Sequence, residues 1–270
     1  MEIKERLDSI LVTKGYFKSR AKAKYAIDSG NIYVNNIQIT KSSKLISEED
    51  NIEVRGETLK YVSRGGLKLE KAVNVFEINL NNKICMDIGA STGGFTDVML
   101  QNGAKKVYSI DVGHDQLDEK LINNKKVINL EGTNIKDIDV KDFNTIDFIS
   151  TDVSFISTLQ VIPKIYELLK IKGNAVILIK PQFEVGKQNL NKNGVVKDIK
   201  IHKKILESII EQINNTGFEI LNLEYSPIKG PAGNIEYLLY IEKNENNLLD
   251  SFELKNKINK VTEEAFKRLK

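Results

Sequence analysis

Three ionisable residues stand where an α/β sheet concentrates its chemistry. Asp152 closes the run Asp147-Phe148-Ile149-Ser150-Thr151-Asp152, Lys180 closes Ala175-Val176-Ile177-Leu178-Ile179-Lys180, and Glu236 enters the last apolar run beside a Pro/Gly loop. An amine at the end of an apolar strand is drawn towards a low-dielectric crevice. Desolvation and a neighbouring cation both lower its pKa and suit it to general-base work, whereas a close carboxylate opposes the shift. The plain alternative is a salt bridge at the sheet edge. Chemistry is favoured because Asp152 and Lys180 fall on the side of the sheet that holds a glycine-rich loop.

That loop is Ile84-Cys85-Met86-Asp87-Ile88-Gly89-Ala90-Ser91-Thr92-Gly93-Gly94-Phe95-Thr96-Asp97. An apolar strand ends at Asp87, and glycines then let the backbone turn tightly near a ligand before a helix begins near Phe95. The spacing does not match G-x-G-x-x-G, and no Gly-Lys-Ser/Thr follows, so neither a dinucleotide fingerprint nor a P-loop is expected. Asp87 and Asp97 surround the turn with acid, which suits a neutral or cationic ligand better than pyrophosphate. The next apolar run, Lys106 to Ile110, ends in Asp111, from which a carboxylate can accept both hydroxyls of a ribose. A sulfonium nucleoside, S-adenosylmethionine, fits this pattern. Its candidate contacts are Asp87, Gly89, Ala90, Ser91, Gly93, Gly94, Asp111, Asn134 and Asp152, with a purely structural turn as the alternative. No metal site is expected.

The elements that must position these residues are those of one α/β domain and a small extra one. The 270 residues are 41% hydrophobic and carry a formal net charge of only +3. Whole-chain electrostatics therefore do not force a nucleic-acid partner. The single cysteine, Cys85, rules out an internal disulfide, and no apolar run reaches the roughly 20 residues needed to span a bilayer. A cytoplasmic protein without stable membrane association is expected. After Asp111, strands are expected at 127–130, 147–152, 175–180, 218–224 and 235–241, with helices at 156–169 and 202–214. The final pair of strands reads as antiparallel. The charged tail at 246–270 has helical apolar spacing and either docks or frays.

The first 44 residues carry nine Lys/Arg against four Asp/Glu. A helix around Leu7, Ile10, Leu11 and Val12 is followed by a second that Ser19 can cap, then a hairpin turning at Asn35-Asn36 and a strand at 52–54. Lys18, Arg20, Lys22 and Lys24 are read as one basic group on the second helix. This segment resembles the RNA-binding module of ribosomal protein S4 type, the alpha-L fold, in Arg6-Leu7-Asp8, Ser19-Arg20-x-x-Ala23 and Gly30-x-Ile32-x-Val34-Asn35. The resemblance implies phosphate contacts by Arg6, Lys18, Arg20, Lys22 and Lys24. A solvated helix face is the plain reading. The module is assigned to residues 1–58, a linker to 59–62 and the main domain to 63–245.

The main domain resembles the FtsJ-type methyltransferases, and the chain as a whole resembles the TlyA family, whose members often carry the name hemolysin A. The motifs are Tyr61 to Leu69, Asp87 to Asp97, Asp152-Val153-Ser154-Phe155-Ile156-Ser157, Lys180-Pro181-Gln182-Phe183-Glu184 and Gly230-Pro231-x-Gly233-Asn234-x-Glu236. His114 stands where the family is expected to have tyrosine. The resemblance implies a Rossmann-like sheet and transfer of a methyl group from S-adenosylmethionine to a ribose 2'-hydroxyl of ribosomal RNA, on a cytidine, in ribosomal subunits or assembled ribosomes. It also implies a tetrad of Lys68, Asp152, Lys180 and Glu236. The roles expected of its members are Lys180 as candidate base, Asp152 and Glu236 orienting its amine, and Lys68 steering a backbone phosphate and lowering the Lys180 pKa by like-charge repulsion. Arg64, Lys187 and Lys192 are further RNA-contact candidates, the last two on a 183–196 loop that can close over RNA or be an ordinary surface loop. Base methylation is disfavoured because the chain lacks an Asn/Asp-Pro-Pro-aromatic segment and a suitably placed thiol. A non-catalytic RNA-binding or ribosome-assembly protein leaves the acidic strand ends unexplained, and a hemolysin needs an insertion element that does not stand out.

Overall fold

The computed structural model describes residues 4–56, 59–143, 145–244 and 251–269. They form two compact units that divide between Arg64 and Gly65. In chain order the first unit holds β1 (Lys4–Arg6), α1 (Leu7–Thr13), α2 (Arg20–Asp28), β2 (Ile32–Val34), β3 (Ile37–Gln38), β4 (Leu45–Ser47) and β5 (Ile52–Val54). Ser19 caps α2 by accepting from the Lys22 N–H, and Asn35 and Asn36 turn the β2–β3 hairpin with φ of 50° and 66°. Asparagine tolerates this left-handed backbone, which matches the twist of a two-residue hairpin. β5 pairs with the other side of β2, while β1 and β4 form a separate antiparallel pair too short to be read from sequence. Leu7, Ile10, Leu11, Ala23, Ile27 and Ile32 fill the core.

The basic residues of this unit do not form a single face. Successive helical residues are about 100° apart, so positions two apart diverge by about 200°. Lys24 is exposed, whereas Lys22 is half-buried beside a small pocket lined by Tyr16, Phe17 and Tyr25. Arg6 and Arg20 both donate to the buried Asp8, each at 2.9 Å, although their own side chains stay 46% and 59% exposed. Lys18 lies ahead of α2 and is exposed.

The second unit continues with α3 (Gly66–Val75), β6 (Ile84–Ile88), α4 (Gly94–Gln101), β7 (Lys106–Asp111), α5 (Glu119–Ile122), β8 (Val127–Glu131), β9 (Ile146–Thr151), α6 (Ile162–Leu168), β10 (Leu169–Ile179), α7 (Pro181–Glu184), α8 (Ile199–Asn214), β11 (Phe218–Tyr225), β12 (Tyr237–Lys243) and α9 (Ser251–Arg268). Its seven strands lie in the order β11-β12-β10-β9-β6-β7-β8. The β10-β9-β6-β7-β8 portion is parallel, and β12 runs antiparallel to both β10 and β11. This is the expected Rossmann-like sheet. The chain winds outwards from β6 through β7 to β8 and then returns to β9 on the other side of β6. That reversal opens a crevice at the carboxyl ends of β6 and β9, where such sheets bind ligands.

Local sequence explains the elements and two departures. Asp198 caps α8, and Ile205, Leu206, Ile209, Ile210 and Ile213 supply one buried stripe. The expected 156–169 helix divides into a 3-10 turn at Thr158–Gln160 and the shorter α6, with Pro163 in its first turn and Leu169 already in β10. β10 accordingly starts earlier than its apolar run, through an irregular stretch in which Lys172 has φ 63°. The tail docks: α9 packs on α8 and β11, burying Ile258, Val261 and Ala265 at helical spacing. Cys85 is fully buried in β6, and burial pushes its thiol up to about 12, consistent with a packing role.

The Asp8 network generates a stability prediction. The Arg6 hydrogen bond first, and Arg20 with it, hold the Asp8 carboxyl near 2 instead of 3.8 against the opposing effect of burial. A depressed carboxylate contributes stability above its unfolded pKa and loses it as pH falls through the folded one. Asp8→Asn should lower the urea midpoint of the first unit at neutral pH, and its difference from wild type should shrink as pH falls from about 4 towards about 2. Urea titrations followed by hydrogen exchange of α1 and α2 amides measure both.

Candidate active site

The glycine loop works chiefly through backbone proximity. Gly89 has φ 83°, and a Cβ there would meet the Asp152 carbonyl oxygen at 2.8 Å, so only glycine lets the ends of β6 and β9 lie this close. The Asp152 N–H donates to Ile88 O across the same gap at 2.9 Å. Asp87 stands behind this contact and does not line the crevice. It is 1% exposed, and its carboxyl accepts from the Thr96 N–H (2.9 Å), Thr96 Oγ1 (2.8 Å) and Ser150 Oγ (3.2 Å). Burial pushes this carboxyl up to about 7, the Thr96 hydrogen bonds pull it down, and the Asp152 charge adds to the rise. Asp87 therefore latches the start of α4 to the sheet. Asp97 is likewise buried, and Gly93, at the start of α4, faces Leu117 and Leu121.

In front of the latch lies a cavity of about 390 Å³ lined by Gly89, Ser91, Asp111, Asn134, Asp152 and Ser154, with Val112, Ile135 and Ile156 as apolar walls. Asp111 Oδ2 accepts from the Ser91 N–H and Oδ1 from the Gly113 N–H, both at 2.8 Å. Each carboxylate oxygen can accept a second bond, so the group can also take hydroxyl donors. Asn134 caps the following 3-10 turn through the Lys136 N–H. Volume, apolar walls and two carboxylates on the lining fit a nucleoside with a positively charged centre. Of the expected cofactor contacts, Gly89, Ser91, Asp111, Asn134 and Asp152 line the cavity, whereas Asp87, Ala90, Gly93 and Gly94 do not.

The four tetrad residues meet beside this cavity as a chain of alternating charge. Lys68 comes from α3, Asp152 from the end of β9, Lys180 from the end of β10 and Glu236 from the start of β12. Lys68 Nζ lies 2.7 Å from Glu236 Oε2 and 3.3 Å from Asp152 Oδ2, and Lys180 Nζ lies 2.5 Å from Asp152 Oδ1. The Lys68–Glu236 contact is an ion pair without a well-directed hydrogen bond. Burial alone would lower the Lys68 pKa, but Asp152 and Glu236 outweigh it and leave it raised. Burial likewise opposes ionisation of Asp152, yet Lys68 and Lys180 hold its carboxyl below the usual range.

Two expected roles change with this geometry. Lys68 is only 6% exposed between two carboxylates, so its charge is spent inside the protein and not on a phosphate. Glu236 holds Lys68 and accepts a 3.4 Å bond from Gln182 Nε2, while the residues that hold the Lys180 amine are Asp152 and Ser154, the latter accepting at 2.8 Å. Glu236 is itself confined by Gly230, where a Cβ would lie 2.5 Å from Glu236 Oε1. Ser154, Gln182 and Gly230 were not singled out from sequence, although all three sit inside the quoted motifs. Thr151 Oγ1, at the end of β9, and Gln182 Oε1, in α7, are buried without a hydrogen-bond partner.

Arg64, the last residue of the first unit, and Lys187 and Lys192, on the 183–196 loop of the second, are exposed. The 183–196 loop is anchored at its far end, where the Val196 N–H donates to Asn234 Oδ1 (3.1 Å) and Val196 O accepts from His202 Nε2 (3.0 Å). Phe155, with φ 65° and 88% exposure, stands on the cavity rim with its ring 5.1 Å from that of Phe183. From sequence Phe155 appears only within the Asp152–Ser157 motif, since its exposure depends on a backbone turn that local pattern does not announce.

Comparison with known proteins agrees with these two units. The FtsJ-like methyltransferase family model matches residues 61–243, and the S4 domain model matches residues 5–52. The chain is 47% identical over 237 residues to Hemolysin A of Brachyspira hyodysenteriae, covering 87% of this chain and 98% of that one. It is 32% identical over 267 residues to the 16S/23S rRNA (cytidine-2'-O)-methyltransferase TlyA of Mycobacterium tuberculosis, covering 98% and 100%. A solved structure described as a candidate hemolysin of Streptococcus thermophilus superposes with a TM-score of 0.79 at 40% identity, covering 99% and 98%. Among the described residues no helix is long and apolar enough to cross a membrane. With an S4 module ahead of a methyltransferase sheet that carries a Lys-Asp-Lys-Glu chain at its crevice, this protein belongs to the TlyA branch of the FtsJ-like methyltransferases.

Proposed function

We propose that the protein transfers a methyl group from S-adenosylmethionine to the 2'-hydroxyl of a cytidine in ribosomal RNA. The observation that carries this reading is the Glu236–Lys68–Asp152–Lys180 chain ending one hydrogen bond from the cavity wall. The M. tuberculosis relative, named for cytidine 2'-O-methylation of 16S and 23S rRNA, supports the choice of acceptor. The glycine loop and Asp111 would hold the cofactor, which when bound would supply an electrophilic methyl whose leaving group needs no acid. Asp152 and Ser154 fix the position of Lys180 Nζ, so that this nitrogen, in its neutral amine form after giving up a proton to solvent, can receive the proton of the attacking hydroxyl. Lys68 and Glu236 keep Asp152 from turning away. Phe155 offers an exposed aromatic face to a base, and Lys187, Lys192, Arg64, Lys18 and Lys24 offer cations to phosphates.

Three outcomes are expected. Lys180→Met should slow single-turnover methyl transfer by about 10³-fold while leaving the affinities for cofactor and RNA within about threefold, because a base acts in the transition state. Near-normal turnover would remove Lys180 as the base, and product mapping to a nucleobase would remove the reaction class. Asp111→Ala should weaken cofactor binding by roughly 10- to 100-fold in calorimetry, through loss of charge-assisted hydrogen bonds. Replacing Lys18, Lys24, Lys187 and Lys192 with Gln should instead leave cofactor binding alone and flatten the salt dependence of RNA binding by about 0.7 per lost phosphate contact.

A further inference from the structure

Glu184 is four residues beyond Lys180, at the end of α7, and plays no part in the tetrad. Its carboxylate nevertheless reaches back to the strand end that carries Asp152. Oε2 accepts from Ser157 Oγ at 2.6 Å, and Oε1 accepts from the Thr158 N–H at 2.7 Å. The segment between these anchors and Asp152 contains Ser154, which holds the Lys180 amine, and Phe155, which sits in the left-handed region at φ 65°. A bulky residue keeps such a backbone only where its surroundings over-determine it. Here the segment is pinned at one end by the Asp152 N–H on Ile88 O and at the other by Glu184.

Resting on the methyl-transfer reading above, we propose that Glu184 is a positioning residue of the reaction: by gripping Ser157 and Thr158 it holds the 153–158 turn in the form that keeps Ser154 against Lys180. Charge-assisted bonds to a backbone N–H and a hydroxyl are strong and directional enough for this. The same carboxylate also accepts from the first N–H of the short 3-10 turn at Thr158–Gln160, which Ser157 caps, so a role in stability alone is the alternative to be separated.

The test uses the full chain, structured ribosomal RNA and S-adenosylmethionine. Glu184→Ala should lower the single-turnover rate by about 10²-fold, the scale expected when a catalytic group is displaced by about 1 Å, with cofactor and RNA affinities and the thermal midpoint little changed. Glu184→Gln, whose amide oxygen can still accept from Thr158, should recover most of the rate. In protein carrying isotope-labelled lysine, the Lys180 side-chain resonance, assigned with Lys180→Arg, should move in Glu184→Ala and in Ser154→Ala alike. A wild-type rate in Glu184→Ala overturns the proposal, as does a rate loss that only mirrors lost stability or cofactor binding. So does a Lys180 resonance that moves with Ser154→Ala but not with Glu184→Ala. Absence of ribose methylation by the wild-type chain would instead overturn the reaction assignment, and the resonance reads the Glu184 coupling independently of it.

Discussion

The methyltransferase unit depends on one carboxylate shared between two lysine side chains. Asp152 binds Lys68 through one oxygen and Lys180 through the other, and Glu236 closes the far side of Lys68. Taking a charge out of water costs several kcal/mol, and removing one partner of a buried pair costs about 3–5 kcal/mol because the other is left uncompensated. Alternating the signs along Glu236, Lys68, Asp152 and Lys180 offsets that cost. It also makes the two lysines unequal. Lys68 has a carboxylate on each side and a raised pKa, so it is locked as a cation. Lys180 ends the chain, against one carboxylate and a serine that both border the cavity. A salt bridge and a base are therefore not competing descriptions of this cluster: the ion pairs that make it tolerable to bury also place the terminal amine.

Close approach is the second requirement. The chain assembles only if the ends of β6, β9, β10 and the entry to β12 converge, and glycines stand where a methyl group would prevent it. Gly89 lets backbone lie against the Asp152 carbonyl, and Gly230 leaves room for the Glu236 carboxylate. Asp87 does for the loop what Asp152 does for the lysines, collecting donors from α4 and β9 on one buried carboxyl. The first unit repeats the device on a smaller scale: Asp8 draws in two arginines, which stay about half exposed while their orientation is fixed. Part of its apparent basic surplus is thus structural, and Lys18 and Lys24 carry the uncommitted appearance of the sequence into the fold.

Much of this was legible in the residues. The strand ends at Asp111, Asp152 and Lys180, the glycine loop, the Asn35-Asn36 hairpin and the Ser19 cap each follow from local chemistry, because periodicity and turn geometry act over a few residues. The motif resemblance named all four tetrad members. Illegible were the partners. Nothing in the local pattern of Lys68 says that it points inward between two carboxylates; its surroundings come from β9 and β12, 84 and 168 residues further along. Nor does proximity in sequence give Lys22 the face of Arg20 and Lys24, since residues two apart on a helix point about 200° apart.

The sequence by itself determined the main strands of the large sheet and which ionisable side chains stand beside their ends, since those are properties of short windows. The tertiary structure alone decided that Lys180 answers to Asp152 and Ser154, that Glu236 serves Lys68, that Asp87 works behind the cavity and that the last helix docks. These outcomes depend on the order of strands in the sheet. That order is set by burying the apolar faces of β6, β9, β10 and β12 together, a sum over distant residues that no short window contains.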